Sequence, residues 1–177
     1  MNKSAARDAN GTLIEPTTLK IQRLLPGPVE RIWAYLVESD KRRKWLAAGQ
    51  MELKVGAPFE FVWRNDELTN PPGKRPDGFD AEHRMAGHIT ALDPPRRIAF
   101  TFHNSTEVSI ELDVQGDEVL LTLIHYRLPN RNFMLGVSAG WHAHLDVLVA
   151  RVRGEEPAPF WDHMSKLRSD YDRRLPQ

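Results

Sequence analysis

The clearest catalytic pattern in the sequence is Gly136-Val137-Ser138-Ala139-Gly140, which matches the G-x-S-x-G nucleophile elbow of hydrolases. Asp146 and His163 follow in the chain order that such enzymes use. The elbow needs a strand and a sharp, strained turn, because that geometry exposes the serine oxygen. Here no strand pattern directly precedes Gly136, and the five residues lie within a helical periodicity. We therefore interpret the glycines as points where a helix approaches a sheet closely, and we predict no catalytic residue.

Seven histidines raise the question of a metal site. None of them makes the H-x-x-x-H spacing that puts two imidazoles on one helix face. His142 and His144 are two residues apart, so on a helix their rings diverge by about 200° and cannot share an ion. His144 is three residues from Trp141 and four from Leu148, so we expect it to face inward. We predict no metal and no cofactor, and we interpret His144 as a core histidine that can also contact a ligand.

Lys41-Arg42-Arg43-Lys44 places four cations on one helical turn, a pattern that can hold a phosphate or a lipid head group. However, the 24 basic and 24 acidic residues of the chain cancel, so no overall field attracts nucleic acid or anionic lipid. We interpret the run as a solvated helix face. No stretch approaches the ~18 apolar residues of a membrane span, so we predict no nucleic-acid partner and no membrane insertion.

Apolar spacings of three and four residues predict the helices that position these groups. A short helix is predicted over 29–38, and Ser39 or Asp40 can cap a second brief helix through 41–46. A long helix is predicted from Phe133 to Gly154, followed by a more polar helix over 160–174.

Alternation of apolar and polar residues predicts about seven strands. They lie over 17–25, 51–55, 59–63, 85–92, 97–103, 108–114 and 119–128. Residues 65–84 hold few apolar side chains and several prolines and glycines, so we predict a loop there. A loop of that length in a compact domain is usually functional or disordered, and this one is the best candidate for a lid.

The order of one strand, two short helices, six antiparallel strands and a long helix resembles that of the START-like or SRPBCC superfamily. Two local patterns sharpen the resemblance, GHITALDPPRRIAFTF over 87–102 and GWHAHLDVL over 140–148, together with Trp33 and Trp45 in the first two helices. They look like the family named for the C-terminal domain of the heat-shock protein 90 ATPase activator. The resemblance covers roughly 17–153.

This resemblance implies an α+β helix-grip fold, like that of the birch-pollen allergen, in which a curved antiparallel sheet grips the long C-terminal helix. It also implies a cavity between the sheet and that helix, which in many relatives holds an apolar or amphipathic small molecule. We expect His144 or Arg23 to supply a polar contact there. The residues expected to bind the ligand are Trp45, Phe59, Phe61, Trp63, Met85, Phe100, Phe102, Trp141 and His144.

We expect a flexible N-terminal segment at 1–16, the helix-grip domain at 17–154 and a C-terminal extension with a short helix at 155–177. The chain contains no cysteine, which suits a reducing compartment. The polar N-terminus lacks the apolar core of a signal peptide. We therefore expect a cytoplasmic protein.

Three functions are open at this point. The first is a non-enzymatic module that encloses a small apolar or aromatic molecule. The second is a cavity enzyme of the polyketide cyclase, aromatase or hydrolase type, which needs an inward acid/base pair that the sequence does not identify. The third is a chaperone-interacting protein resembling the ATPase activator. The co-chaperones of that family carry an additional N-terminal domain that sixteen residues cannot supply, so we do not expect chaperone activation. A homodimer is also open, although no seam is evident.

Overall fold

A computed structural model describes residues 10–177 of the chain, and residues 1–9 of the predicted segment 1–16 lie outside the described residues. The strands are β1 (Thr12–Glu15), β2 (Thr18–Pro26), β3 (Pro58–Trp63), β4 (His83–Asp93), β5 (Arg97–Phe102), β6 (Thr106–Gln115) and β7 (Glu118–Tyr126). The helices are α1 (Val29–Val37), α2 (Ser39–Arg42), α3 (Arg131–Arg153) and α4 (Phe160–Arg174). Short 3₁₀ turns follow β3 at Asn65–Glu67 and β5 at His103–Ser105.

The strands form one antiparallel sheet in the order β1-β2-β7-β6-β5-β4-β3. Alternate side chains of β2 and β7 are buried, and the register pairs Ile21 with Leu123 and Leu25 with Val119. These apolar pairs fix the register, because a slip by one residue would turn every one of them outward. The long helix α3 packs against β2, and α1 packs against β6 and β7. The predicted helix-grip fold is thereby confirmed.

The helix α3 begins and ends at local signals in the sequence. Asn130 caps it, since its side-chain oxygen accepts a hydrogen bond from the backbone N–H of Phe133 at 2.8 Å. Gly154 ends it with a φ of 70°, in the left-handed region that favours glycine. By length and composition α3 could cross a membrane, but 67% of its most apolar window is buried inside the fold. We therefore describe it as the core helix of the fold.

The strand predicted over 51–55 was wrong. Only an isolated bridge joins Met51 to Phe59, and Val55 is 57% exposed. Gly56 has a φ of 87°, so the chain turns before β3 instead of continuing as a strand. The seventh strand is β1, which pairs with β2 at the other edge of the sheet.

The helix α2 is shorter than predicted and ends at Arg42, a buried residue that is 1% exposed. Its guanidinium donates hydrogen bonds to the backbone carbonyls of Leu36, Ala47 and Gly49. It also lies 4.7 Å from the ring centre of Phe61. Burial lowers the pKa of Arg42 to about 10. The interpretation of the whole run 41–44 as a solvated face was therefore wrong for Arg42.

Much of the predicted loop 65–84 packs against α4. The indole N–H of Trp161 donates to the carboxylate of Asp66 at 2.7 Å, and its backbone N–H donates to the carbonyl of Pro72 at 3.0 Å. The ring of Phe79 meets that of Trp161 edge-on, with centres 5.3 Å apart. The loop and α4 thus form one continuous wall beside α3. Whether this wall acts as a lid stays a prediction.

Candidate ligand-binding site

A cavity of about 970 Å³ lies between α3, α4, the loop that follows β3 and the neighbouring ends of the sheet strands. Aromatic side chains from all of these elements line it: Trp63, Phe79, Phe102, Phe133, Trp141 and Trp161. Ligand pockets of about 300–1,000 Å³ with mostly apolar walls hold drug-sized molecules. The size and lining of this cavity therefore suit a small apolar or aromatic occupant.

Four of the residues predicted to bind a ligand line this cavity, namely Trp63, Phe102, Trp141 and His144. The other predicted residues lie outside the lining and are buried in the core: Trp45, Phe59, Phe61, Met85 and Phe100. The rings of Phe61 and Phe100 pack against each other, with centres 5.5 Å apart, and so fill the space near β3 themselves. Arg23 also lies outside the lining.

The loop and α4 contribute lining residues that the sequence analysis did not name. Phe79 comes from the loop, and Trp161 and Met164 come from α4. The signal for α4 was present, because Phe160, Trp161, Met164 and Leu167 recur at helical spacing and are buried. No residue pattern in the sequence indicates that this helix lies beside the cavity and not beyond it.

A hydrogen-bonded chain fixes the indole of Trp141. Its N–H donates to Nδ1 of His125 at 3.1 Å, so the proton of that imidazole lies on Nε2. Nε2 then donates to the hydroxyl of Thr106 at 2.8 Å, and the hydroxyl donates to the carbonyl of His103 at 2.9 Å. Burial, with the nearby charge of His103, lowers the pKa of His125 to about 3 and keeps it neutral. Trp141 therefore presents only ring carbon to the cavity.

Apart from the tryptophans, His144 is the most buried polar residue of the lining, and it is 6% exposed. Its Nδ1 is 2.8 Å from the carbonyl oxygen of Trp45, which can only accept, so Nδ1 carries the proton. Burial lowers the pKa of His144 to about 4, although the hydrogen bond to Trp45 acts in the opposite direction. The ring is thus neutral near pH 7, with a free lone pair on Nε2.

The mouth of the cavity is polar. Nε2 of His83 lies 2.9 Å from Nε2 of His103, and both rings lie beside Trp63. Burial, followed by the charge of His83, lowers the pKa of His103. Arg168 lines the opposite side and donates to the side-chain oxygen of Asn132 at 2.7 Å. An occupant can therefore meet water and the more exposed polar side chains at this end.

Asp146 joins α3 to the sheet and to α4. Its Oδ1 accepts a hydrogen bond from Arg23 at 2.9 Å, and its Oδ2 lies 2.7 Å from Nε2 of His163 and 3.3 Å from Nε2 of His142. Burial by itself would raise the pKa of Asp146, but the hydrogen bonds with His142 and His163 and the charge of Arg23 hold it well below its usual value. We call these four side chains the clasp.

Three atoms of the clasp, on His142, Asp146 and His163, lie within 4.8 Å of one another and have the chemistry of metal ligands. This set does not show the spacing of two histidines on one helix, because its ligand atoms come from α3 and α4. The carboxylate is already paired with Arg23 and hydrogen-bonded to His163, which satisfies it without a cation. We therefore assign the clasp a structural role, in which it holds α4 against α3.

Ser138 does not form a nucleophile elbow. It lies within α3, is fully buried, and its hydroxyl has no hydrogen-bond partner in the described part of the chain. It is also absent from the cavity lining. The G-x-S-x-G match lies in a helix, as predicted. The interpretation of its glycines as close contacts with the sheet was wrong, because a Cβ at Gly140 would meet no atom within 4 Å and one at Gly136 would meet Arg168 of α4 at 3.5 Å.

A family model described as activator of Hsp90 ATPase homolog 1-like protein matches residues 26–153. A Bordetella parapertussis protein solved by NMR in solution is 36% identical, and the match covers 99% of this chain and 95% of that one with a TM-score of 0.81. No curated protein matches the chain.

Two further solved structures share the fold at lower identity. CalU16 from Micromonospora echinospora is 20% identical over 88% of this chain and 86% of that chain, with a TM-score of 0.65. The Aha1 dimer from Colwellia psychrerythraea is 17% identical over 76% of this chain and 95% of that chain, with a TM-score of 0.58. At these identities the likeness concerns the fold alone.

Proposed function

The chain belongs to the family of activator of Hsp90 ATPase homolog 1-like proteins, and from that premise we propose that it binds a small apolar or aromatic molecule in the cavity lined by Trp141. The observation that carries this proposal is the aromatic lining of a cavity of about 970 Å³. An aromatic molecule that buries about 200 Å² of apolar surface there gains roughly 5 kcal/mol from the hydrophobic effect. The loss of translational freedom on binding offsets part of this gain.

Binding is favoured over catalysis by the surroundings of His144. A cavity enzyme needs an acid/base pair within hydrogen-bond reach of its substrate. Among residues 10–177, no carboxylate hydrogen-bonds to His144, and a histidine with a pKa of about 4 is a weak base near pH 7. We therefore propose a binding protein rather than a cyclase or hydrolase.

A cavity-filling variant at Gly140 tests the proposal. Gly140 lines the cavity from α3, and a Cβ added there meets no atom within 4 Å. We expect Gly140→Leu to fold, since leucine is a better helix former than glycine by roughly 0.5–1 kcal/mol, and to block the occupant sterically. Gly140→Ala gains similar helix propensity but fills little space, so it is the matched control.

The probe is 2-methoxynaphthalene. Its binding is measured by calorimetry and by the shift in the melting temperature of the protein. We expect the wild type and Gly140→Ala to bind it and Gly140→Leu to bind at least tenfold more weakly. Equal binding by all three proteins would place the probe elsewhere and contradict the proposal. Native mass spectrometry of protein purified from its own cells would show a retained ligand as added mass, and would show at once whether the chain forms a dimer.

We also propose a cytoplasmic location, supported by the absence of cysteine. Fluorescence microscopy of a tagged chain in its own cells tests this. A signal confined to the cell envelope or the medium would contradict it.

A further inference from the structure

We infer that the occupant of the cavity is an uncharged aromatic molecule that donates a hydrogen bond, through a phenolic O–H or an aromatic N–H, to Nε2 of His144. This inference rests on the proposed function and adds the chemical class of the ligand. It follows from the polar groups that the cavity offers and from those that the fold has already used.

Nε2 of His144 carries a lone pair that can accept a hydrogen bond. Nδ1 of His144 donates to the carbonyl of Trp45 at 2.8 Å, which leaves Nε2 as the unprotonated nitrogen. Within residues 10–177 Nε2 has no hydrogen-bond partner, yet it is not among the sealed, unpaired polar atoms of the fold. Because the residue lines the cavity, Nε2 is accessible from it.

Trp141, which lines the cavity three positions before His144, offers an occupant no competing hydrogen bond. The indole N–H of Trp141 is engaged by His125, so it cannot donate to an occupant. Of the polar side chains that line the cavity apart from the tryptophans, only His144 is buried, and the others are exposed or half-buried. Asp80, His83 and Arg168 are among these more accessible residues.

Oδ1 of Asn65 and the indole N–H of Trp63 also belong to the lining and have no hydrogen-bond partner within residues 10–177. The first is sealed from solvent, and the ring of Trp63 lies beside His83 and His103 at the mouth. The acceptor that an occupant meets on α3 is therefore Nε2 of His144.

The buried part of the lining offers no charge that could pair with an ionic ligand. Burying an ion in an apolar pocket is costly unless a partner charge is present. His144 is neutral near pH 7, and no buried side chain of the lining carries a charge. The inner end of the occupant is therefore neutral, and a buried acceptor left unpaired disfavours analogues that lack the donor.

A matched pair of probes tests the inference. 2-Naphthol carries the donor, and 2-methoxynaphthalene replaces that hydrogen by a methyl group. We expect the wild type to bind 2-naphthol about tenfold more tightly, which is the usual scale of one neutral hydrogen bond. In His144→Asn the side-chain amide still offers an N–H to the carbonyl of Trp45, while its oxygen takes the place of ring carbon Cδ2 and leaves no acceptor at the position of Nε2. The affinity ratio should fall to about one.

The outcomes separate the two proposals. If neither probe binds the wild type, the proposed function fails. If both probes bind the wild type equally, or if the ratio survives in His144→Asn, the protein binds apolar molecules but the present inference is overturned. If His144→Asn does not fold, the ¹⁵N resonance of His144 Nε2 decides the matter in the wild type. It should shift with 2-naphthol and much less with 2-methoxynaphthalene, and equal shifts would overturn the inference.

Discussion

Asp146→Asn is the most informative single change outside the cavity, because Asp146 holds three elements together. The substitution removes the charge that neutralises Arg23, whose side chain is only 7% exposed. Breaking a fully buried ion pair by removing one partner costs about 3–5 kcal/mol. The side chain of Asp146 is 33% exposed, so solvent screens part of the loss, and we expect a fall of about 2–4 kcal/mol in the free energy of unfolding. For a chain of this size that corresponds to a drop of roughly 4–16 °C in melting temperature.

The assay is urea unfolding followed by tryptophan fluorescence, with Glu60→Gln as the control. Glu60 pairs with Arg84 on the surface, where the two side chains are 51% and 54% exposed, so its loss should change the free energy by less than about 1 kcal/mol. The pKa of Asp146 is lowered in the folded state, so its contribution is present above the unfolded pKa of ~3.9 and is lost as the pH falls further. The free energies of unfolding of the wild type and of Asp146→Asn should therefore converge as the pH falls below ~3.9. A loss no larger than that of Glu60→Gln at pH 7 would refute the assigned role of the clasp.

Three other outcomes are expected. Arg42→Met should lower the free energy of unfolding by about 2–4 kcal/mol in urea titrations, because three carbonyls lose their donor, whereas the exposed Arg43→Met should change it by less than about 1 kcal/mol. Gly73→Ala should increase proteolysis of the loop more than Gly78→Ala does. Both glycines have positive φ, but only a Cβ at Gly73 would lie 2.8 Å from the backbone nitrogen of Asp162, and equal cleavage would contradict this. The pKa of His144 is about 4 in the folded state, against 6.5 for a free histidine. Between these pH values the unfolded state binds a proton that the folded state does not, so the free energy of unfolding should fall by roughly 1.4 kcal/mol for each pH unit of acidification. His144→Asn should show a correspondingly smaller slope in pH-dependent unfolding, and an unchanged slope would argue against a neutral buried ring.

Elements with long, regular patterns could be predicted from the sequence. The helix predicted over 160–174 is α4 with the same bounds, and the strands predicted over 108–114 and 119–128 correspond to β6 and β7. The pattern failed where pairing depends on distant residues. Met51 to Val55 alternates as a strand does, but β3 pairs with β4 and only bridges to that segment, whereas the short β1 gains its partner from β2.

The candidate site was less predictable than the fold. The sequence pattern of an inward-facing aromatic residue is the same whether the residue packs against another side chain or lines a cavity. Phe61 and Trp63 are two residues apart on β3 and both are buried, yet of the two only Trp63 lines the cavity. The difference arises because Arg42 and Phe100 fill the space beside Phe61. The buried position of Arg42 depends on the path of the chain after α2, and no spacing rule in the sequence encodes it.

The hydrogen-bonding character of the cavity is set by residues that lie behind its wall. Trp141 and His144 each have one polar atom committed to a partner in the fold, which is His125 for the indole and the carbonyl of Trp45 for the imidazole. The first commitment consumes the only N–H of Trp141, whereas the second leaves His144 with a lone pair. On α3, Trp141 thus presents an apolar surface to the cavity, and His144, three positions further along, presents a hydrogen-bond acceptor. The preference for a ligand that donates a hydrogen bond therefore depends on the backbone at Trp45, a residue that does not itself line the cavity.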